Sequence, residues 1–306
     1  MTLFFVIEGS LKMLPTVLLL SAIAASSASS LYWDGRVPQT MTESDLDSSI
    51  GPYLTVVKGS EAASHYTTLL GTASTPTPLW NTALSEQVIS LTIDNSSIFV
   101  PGGSTPQTGF RRTDLIAQGN GSDSALDAIM EVGVSKFSFS VKENEQLPLN
   151  YSHEYQIVFI EPSDGTHVFE LQLGTPFSNP TAPAPAADAA FLKIRDHALN
   201  LLFETPFTAG QWHNFAVQVD WVNLTLEVFY SADAAELVAV TSVVPNPTAS
   251  TGSAGQGDFH AALLKLPLVD SSETIAEQDD VVHYGIQEGT TEGLFYSGLF
   301  VEQISA

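Results

Sequence analysis

Beyond residue 31 the chain alternates. Lys136-Phe-Ser-Phe-Ser-Val-Lys142 places Phe137, Phe139 and Val141 on one side of an extended backbone and Lys136, Ser138, Ser140 and Lys142 on the other. That is the pattern of a half-buried antiparallel strand. The same period of two runs through Val88 to Asp94, Glu154 to Ile160, His167 to Leu173, Asn214 to Trp221, Leu224 to Tyr230, Leu237 to Val244, Asp258 to Leu266 and Leu294 to Val301. Clusters of Gly, Pro, Asn, Asp and Ser separate these segments, as at Pro162-Ser-Asp-Gly165 and Pro101-Gly-Gly103. Many short strands with almost no sustained helical period predict an all-β fold, a sandwich or jelly roll of two antiparallel sheets. Helix is expected around Ser124 to Met130; Asp196 to Phe203 reads as helix or strand. The Pro/Ala tract from Asn179 to Asp188 reads as a loop within one domain, and no internal repeat is visible.

Composition narrows the function classes. Of 306 residues, 34 are acidic and 10 are Lys or Arg, a net charge of −24, which rules against a nucleic-acid partner. With 44% hydrophobic and 14% charged residues, the chain can fill a large core and is not a disordered acidic tail. The absence of cysteine removes disulfides, thiolate nucleophiles and Cys-ligated zinc together. No HExxH, EF-hand, P-loop or dinucleotide fingerprint appears, so neither a metal nor a cofactor is implied.

The segment from Met13 to Ala25 is apolar for the length of a secretory h-region, follows Lys12, and leads into the small residues Ser26 to Ser30. Residues 1–30 are therefore expected to be a signal peptide, or 13–30 if Met13 is the true start, with a single domain over 31–306. Secretion to the extracellular space follows as an expectation. Four sequons, at Asn95, Asn120, Asn150 and Asn223, are glycosylation candidates. No other stretch is long and apolar enough to span a membrane, and a monomer is expected.

Several phrases taken in order resemble one family of fungal secreted enzymes, glycoside hydrolase family 131. They are Leu31-Tyr-Trp-Asp-Gly-Arg36, Gly51-Pro-Tyr-Leu-Thr-Val-Val-Lys58, Gly109-Phe-Arg-Arg-Thr-Asp114, the run from Tyr151 to Gly165, Gln211-Trp-His-Asn-Phe215, Gly255-Gln-Gly-Asp-Phe-His260 and Gly285-Ile-Gln-Glu-Gly289. The resemblance implies a concanavalin-like β-jelly-roll with an open cleft, and hydrolysis of β-glucans with 1,3, 1,4 and 1,6 linkages. It covers the catalytic domain alone, because the cellulose-binding module of some members depends on disulfides.

Glycoside hydrolysis needs one carboxylic acid for the departing oxygen and a second carboxylate as base or nucleophile. Glu154 shares a face with Gln156 at the start of a strand whose Tyr155, Ile157 and Phe159 are apolar. Arg112 and Asp114, two residues apart, share a face when extended, so the guanidinium can hold the carboxylate or orient a sugar hydroxyl. The resemblance implies that Arg112, Asp114, Glu154 and His260 line the cleft. Glu often stands in the family where this chain has Asp114, and the shorter side chain sets its carboxyl about 1.5 Å back. The expected catalytic pair is Glu154 and Asp114, with Arg112, His260, Gln156 and Glu170 binding substrate and Glu170 the reserve carboxylate. Arg112 mildly favours Asp114 as base and Glu154 as acid. Glu288 and Glu292 read as loop residues. Trp33, Tyr53 and Trp80 are candidates for stacking on sugar rings, with a core role the commoner outcome.

Two other functions fit a sandwich fold, a polysaccharide lyase and a non-catalytic lectin. A lyase must bind an anionic uronate, which the acidic balance of the chain repels, so a neutral β-glucan is the better-matched partner.

Overall fold

The computed structural model describes residues 30–54, 59–81, 83, 85–101, 105–119 and 121–304. The expected leader up to residue 29 and the Asn120 sequon lie outside the described residues. In chain order the strands are β1 (Ser30–Asp34), β2 (Val37–Pro38), β3 (Tyr53–Leu54), β4 (Thr67–Leu69), β5 (Glu86–Gln87), β6 (Ile89–Ile93), β7 (Arg111–Ala117), β8 (Val134–Glu143), β9 (Glu154–Pro162), β10 (Phe169–Gly174), β11 (Phe191–Asp196), β12 (Leu201–Pro206), β13 (His213–Asp220), β14 (Thr225–Ala232), β15 (Val238–Ala239), β16 (Val244–Pro245), β17 (Gly257–Lys265) and β18 (Glu292–Gln303).

One sheet runs β15-β14-β13-β8-β18-β6-β4, with β1 added to β18 and β16 to β14. The other runs β12-β11-β10-β9-β17-β7-β3, and the pairings within both are antiparallel. The result is the expected jelly-roll sandwich. Phe137, Phe139 and Val141 of β8 and Phe215, Val217 and Val219 of β13 face inward and pack on Tyr155, Ile157, Leu171, Leu173 and Ala261 of the opposite sheet. Each fully buried large apolar side chain contributes about 1.5–3 kcal/mol. Trp33 and Tyr53 belong to this core, so neither is a free sugar platform.

Local departures from the expected pattern have physical causes. The segment around 196–203 is a hairpin between β11 and β12, turned through Leu199 at φ 63°. The run from 237 to 244 forms only two short edge strands, separated by a loop. Strand β9 does not alternate throughout: its register against both neighbours slips near Ile157 and Val158. At such a bulge two consecutive residues can point the same way. Ile157 and Val158 are both buried in the main core, whereas Phe159 joins a separate outer cluster with Ala262 and Leu264. The expectation that Phe159 shares the inner face with Tyr155 and Ile157 is therefore corrected, and Glu161, two residues on, turns outward with it.

The helix Ser124–Met130 forms where expected, with the Asp123 side chain accepting from the Ser124 amide at its start. It plugs Leu126 and Met130 into the core and carries Asp127 and Glu131 in with them. Burial first, then the Asp258 and Asp123 charges, pushes the Asp127 pKa up to about 8. Glu131 is also raised, by burial and then by Asp127, although its Oε2 accepts from the Gly257 amide at 2.8 Å. A carboxyl raised on folding favours the native state fully below its ordinary value near 3.8. That contribution is lost as pH rises through about 8. Thermal unfolding at pH 5 and pH 8 should therefore show a smaller loss of Tm with rising pH in Asp127→Asn than in the parent. Equal losses in the two proteins would contradict the assignment.

Candidate active site

The outer face of the seven-stranded sheet carries a row of buried charges. On β7, alternation brings Arg112 and Asp114 to that face, and Arg112 Nε donates to Asp114 Oδ2 at 2.6 Å, as the spacing predicts. Arg112 Nη2 donates at 2.6 Å to Glu161 Oε2 at the far end of β9. His260 on β17 lies between the two carboxylates, its Nδ1 3.8 Å from Asp114 Oδ1 and its Nε2 3.6 Å from Glu161 Oε2. Both distances exceed a hydrogen bond, and neither ring nitrogen has a partner among the described residues.

Burial alone would raise the pKa of Glu161, but the Arg112 charge and hydrogen bond outweigh it and hold the carboxyl below the ordinary glutamate value. The two carboxylates in turn raise the pKa of Arg112 despite its burial. Asp114 is fully buried, whereas the Glu161 side chain keeps 23% of its exposure.

A second cluster lies across the sheet. Arg195 of β11 donates to Glu154 of β9, and its Nε donates to Glu170 of β10 at 2.5 Å. Glu170 Oε2 is 2.6 Å from His167 Nδ1. Burial opposes ionisation of Glu170, but the His167 and Arg195 contacts prevail and its pKa is lowered. Glu154 Oε2 accepts from the backbone amide of Phe177, which ties down the loop after β10, and Gln156 Nε2 reaches Glu154 Oε1 at 3.5 Å. Between the clusters, Phe159 is stacked on both sides, with centroids 4.2 Å from His167 and 4.6 Å from His260.

All six residues expected at the site lie on this sheet, but in two groups. Arg112, Asp114 and His260 form one, and Glu154, Gln156 and Glu170 form the other. Glu154 and Asp114, the expected pair, fall in different groups: Arg195 holds Glu154 and Arg112 holds Asp114.

Glu161, Arg195 and His167 complete the clusters, and none was singled out from sequence. Strict alternation from Glu154 assigns Glu161 inward, and only the bulge reverses that. The alternation that turns Arg195 outward, Leu192-Lys-Ile-Arg195, is only four residues long. Glu288 lies in a loop, as expected, whereas Glu292 opens β18; both accept from the buried Lys265 ammonium, at 2.5 and 2.7 Å. Among the described residues no group of three or more His, Asp or Glu is arranged to hold a metal ion.

Residues 31–306 match the profile of the glycoside hydrolase 131 catalytic N-terminal domain. The chain belongs to glycoside hydrolase family 131. As a member of family 131 it is a glycoside hydrolase, and solved structures share its architecture. A GH131 β-glucanase catalytic domain from Podospora anserina superposes with a TM-score of 0.65 at 22% identity, covering 90% of this chain and 97% of the other. The catalytic domain of a family 131 protein from Coprinopsis cinerea gives 0.65 at 23% identity, with 90% and 95% covered. By sequence alone, no curated protein matches the chain.

The second cluster generates a stability prediction. Removing the Arg195 guanidinium leaves Glu154 and Glu170 buried without their cation, a change that costs about 3–5 kcal/mol in comparable buried pairs. Urea denaturation of Arg195→Ala should show a loss of that order, with Arg195→Lys intermediate. A midpoint unchanged in Arg195→Ala would show that the cluster is not held by charge.

Proposed function

We propose that this family 131 hydrolase is secreted and cleaves neutral β-linked glucans, using Asp114 and Glu161 as its carboxyl pair and His260 between them. The observation that carries the reading is the Arg112 guanidinium that joins both carboxylates at 2.6 Å. It brings two acids to one point on the polar face of central strands, as glycoside hydrolysis requires. The β-glucanase from Podospora anserina supports the substrate class by its likeness in fold. A net charge of −24 supports a neutral polysaccharide over a polyuronate. Secretion rests on the leader sequence.

The roles follow from charge and access. Glu161, held ionised and the more open of the two, meets the anomeric carbon or its attacking water. His260 passes the proton to the departing glycosidic oxygen, with the fully buried Asp114 carboxylate beside its other nitrogen. The proton of the attacking water returns to His260, directly or through Glu161 3.6 Å away, so the site regains its starting state. Glu154 holds the Phe177 loop and does not touch the reacting bond.

General acid–base catalysis is worth roughly 100- to 10,000-fold, so Glu161→Gln and Asp114→Asn should each lose that factor in kcat on a soluble β-glucan while remaining folded. Glu154→Gln should lose less than about tenfold, and EDTA should leave the parent rate unchanged. Near-parental turnover in folded Glu161→Gln, with collapse in Glu154→Gln, would move the chemistry to the Arg195 cluster. Ultraviolet-absorbing unsaturated products would instead mark a lyase.

A further inference from the structure

The outer face of the nine-stranded sheet, on the side of the sandwich away from the arginine clusters, carries a groove of about 510 Å³. Its floor is one row of outward side chains crossing four adjacent strands. Thr68 of β4 sits opposite Ser90 of β6, Ser90 opposite Phe295 of β18, and Phe295 opposite Lys142 of β8. Their chain neighbours Leu91, Leu294, Tyr296 and Val141 point the other way into the core. At about 4.8 Å per strand the row is about 14 Å long. Asn144 and Gln146, in the turn after β8, form one wall.

The chemistry of the floor is that of a sugar site. A half-buried aromatic ring offers a flat apolar face, and hydroxyl and amide groups flank it with donors and acceptors. The Lys142 charge is already engaged, since Nζ donates to the Thr75 carbonyl at 3.1 Å and lies 5.8 Å from the Trp212 ring centroid. An anionic occupant is disfavoured by the −24 charge of the chain and by Glu143 and Glu145 at the rim. A protein partner would meet a single ring rather than the apolar centre that such interfaces use.

We infer that this groove is a second, non-catalytic site for a neutral β-glucan segment, with Phe295 as its stacking platform. The inference rests on the proposed substrate class but not on the proposed catalytic residues. A hold on the polymer remote from the reacting face raises the effective concentration of chain at the sheet opposite, which matters most on an insoluble substrate.

The test separates binding from turnover. Full-length parent, Phe295→Ala and Thr68→Arg are compared for partition onto insoluble β-glucan on ice and for turnover of a soluble β-gluco-oligosaccharide. Thr68 is exposed, so its replacement fills the groove without disturbing the core. The expected result is about a tenfold loss of partition in both variants, with oligosaccharide turnover within about twofold of the parent. Parental partition in both variants overturns the inference and leaves the hydrolase reading intact. Loss of turnover in step with partition overturns the separateness of the site. A parent that neither binds nor cleaves glucan overturns this inference and the substrate reading together.

Discussion

The outer face of the seven-stranded sheet depends on two guanidinium groups. Glu170 and Asp114 are fully buried and Glu154 is 5% exposed, and a carboxylate so withdrawn from water is tolerated only with a cation and hydrogen bonds. Arg112 serves Asp114 and Glu161, and Arg195 serves Glu154 and Glu170. Two of only ten basic side chains in a chain with 34 acids are thus committed to one face of one sheet. The planar fork of arginine suits the task, because adjacent nitrogens can meet two acceptors in fixed geometry.

The two clusters are not equivalent. Around Arg195 every carboxylate is buried and engaged by the chain itself: a loop amide, a histidine and the guanidinium. Around Arg112 one carboxylate stays partly open, and the nearby imidazole has no hydrogen-bond partner for either nitrogen among the described residues. Engaged groups position backbone, whereas groups with spare hydrogen-bonding capacity receive substrate. Phe159, stacked between His167 and His260, joins the clusters and fixes the His260 ring against the pair.

Much of this was legible in the sequence because alternation is a strong signal. Strands such as β8 and β13, hydrophobic at every second residue, fell where their patterns put them, and the shared face of Arg112 and Asp114 followed from their spacing. What alternation cannot convey is an interruption. The slip near Ile157 and Val158 costs no change in composition, yet it carries Phe159 and Glu161 from the inner face to the outer one. The division of Glu154 and Asp114 between two guanidinium groups depended on how strands pair, which is a property of pairs of strands and leaves no mark on either alone. Arg195 lies in an alternating run of only four residues, too short to mark it as the cation that its buried partner carboxylates need.

The placement of the reaction at Arg112 is tested most directly by a crystal structure of Glu161→Gln with a β-gluco-oligosaccharide bound across the sheet. The account predicts a glycosidic oxygen within about 3 Å of His260, with the substituted side-chain amide, standing where the Glu161 carboxylate was, facing the adjacent anomeric carbon. A scissile bond seated instead beside Glu154 and Arg195 would contradict it.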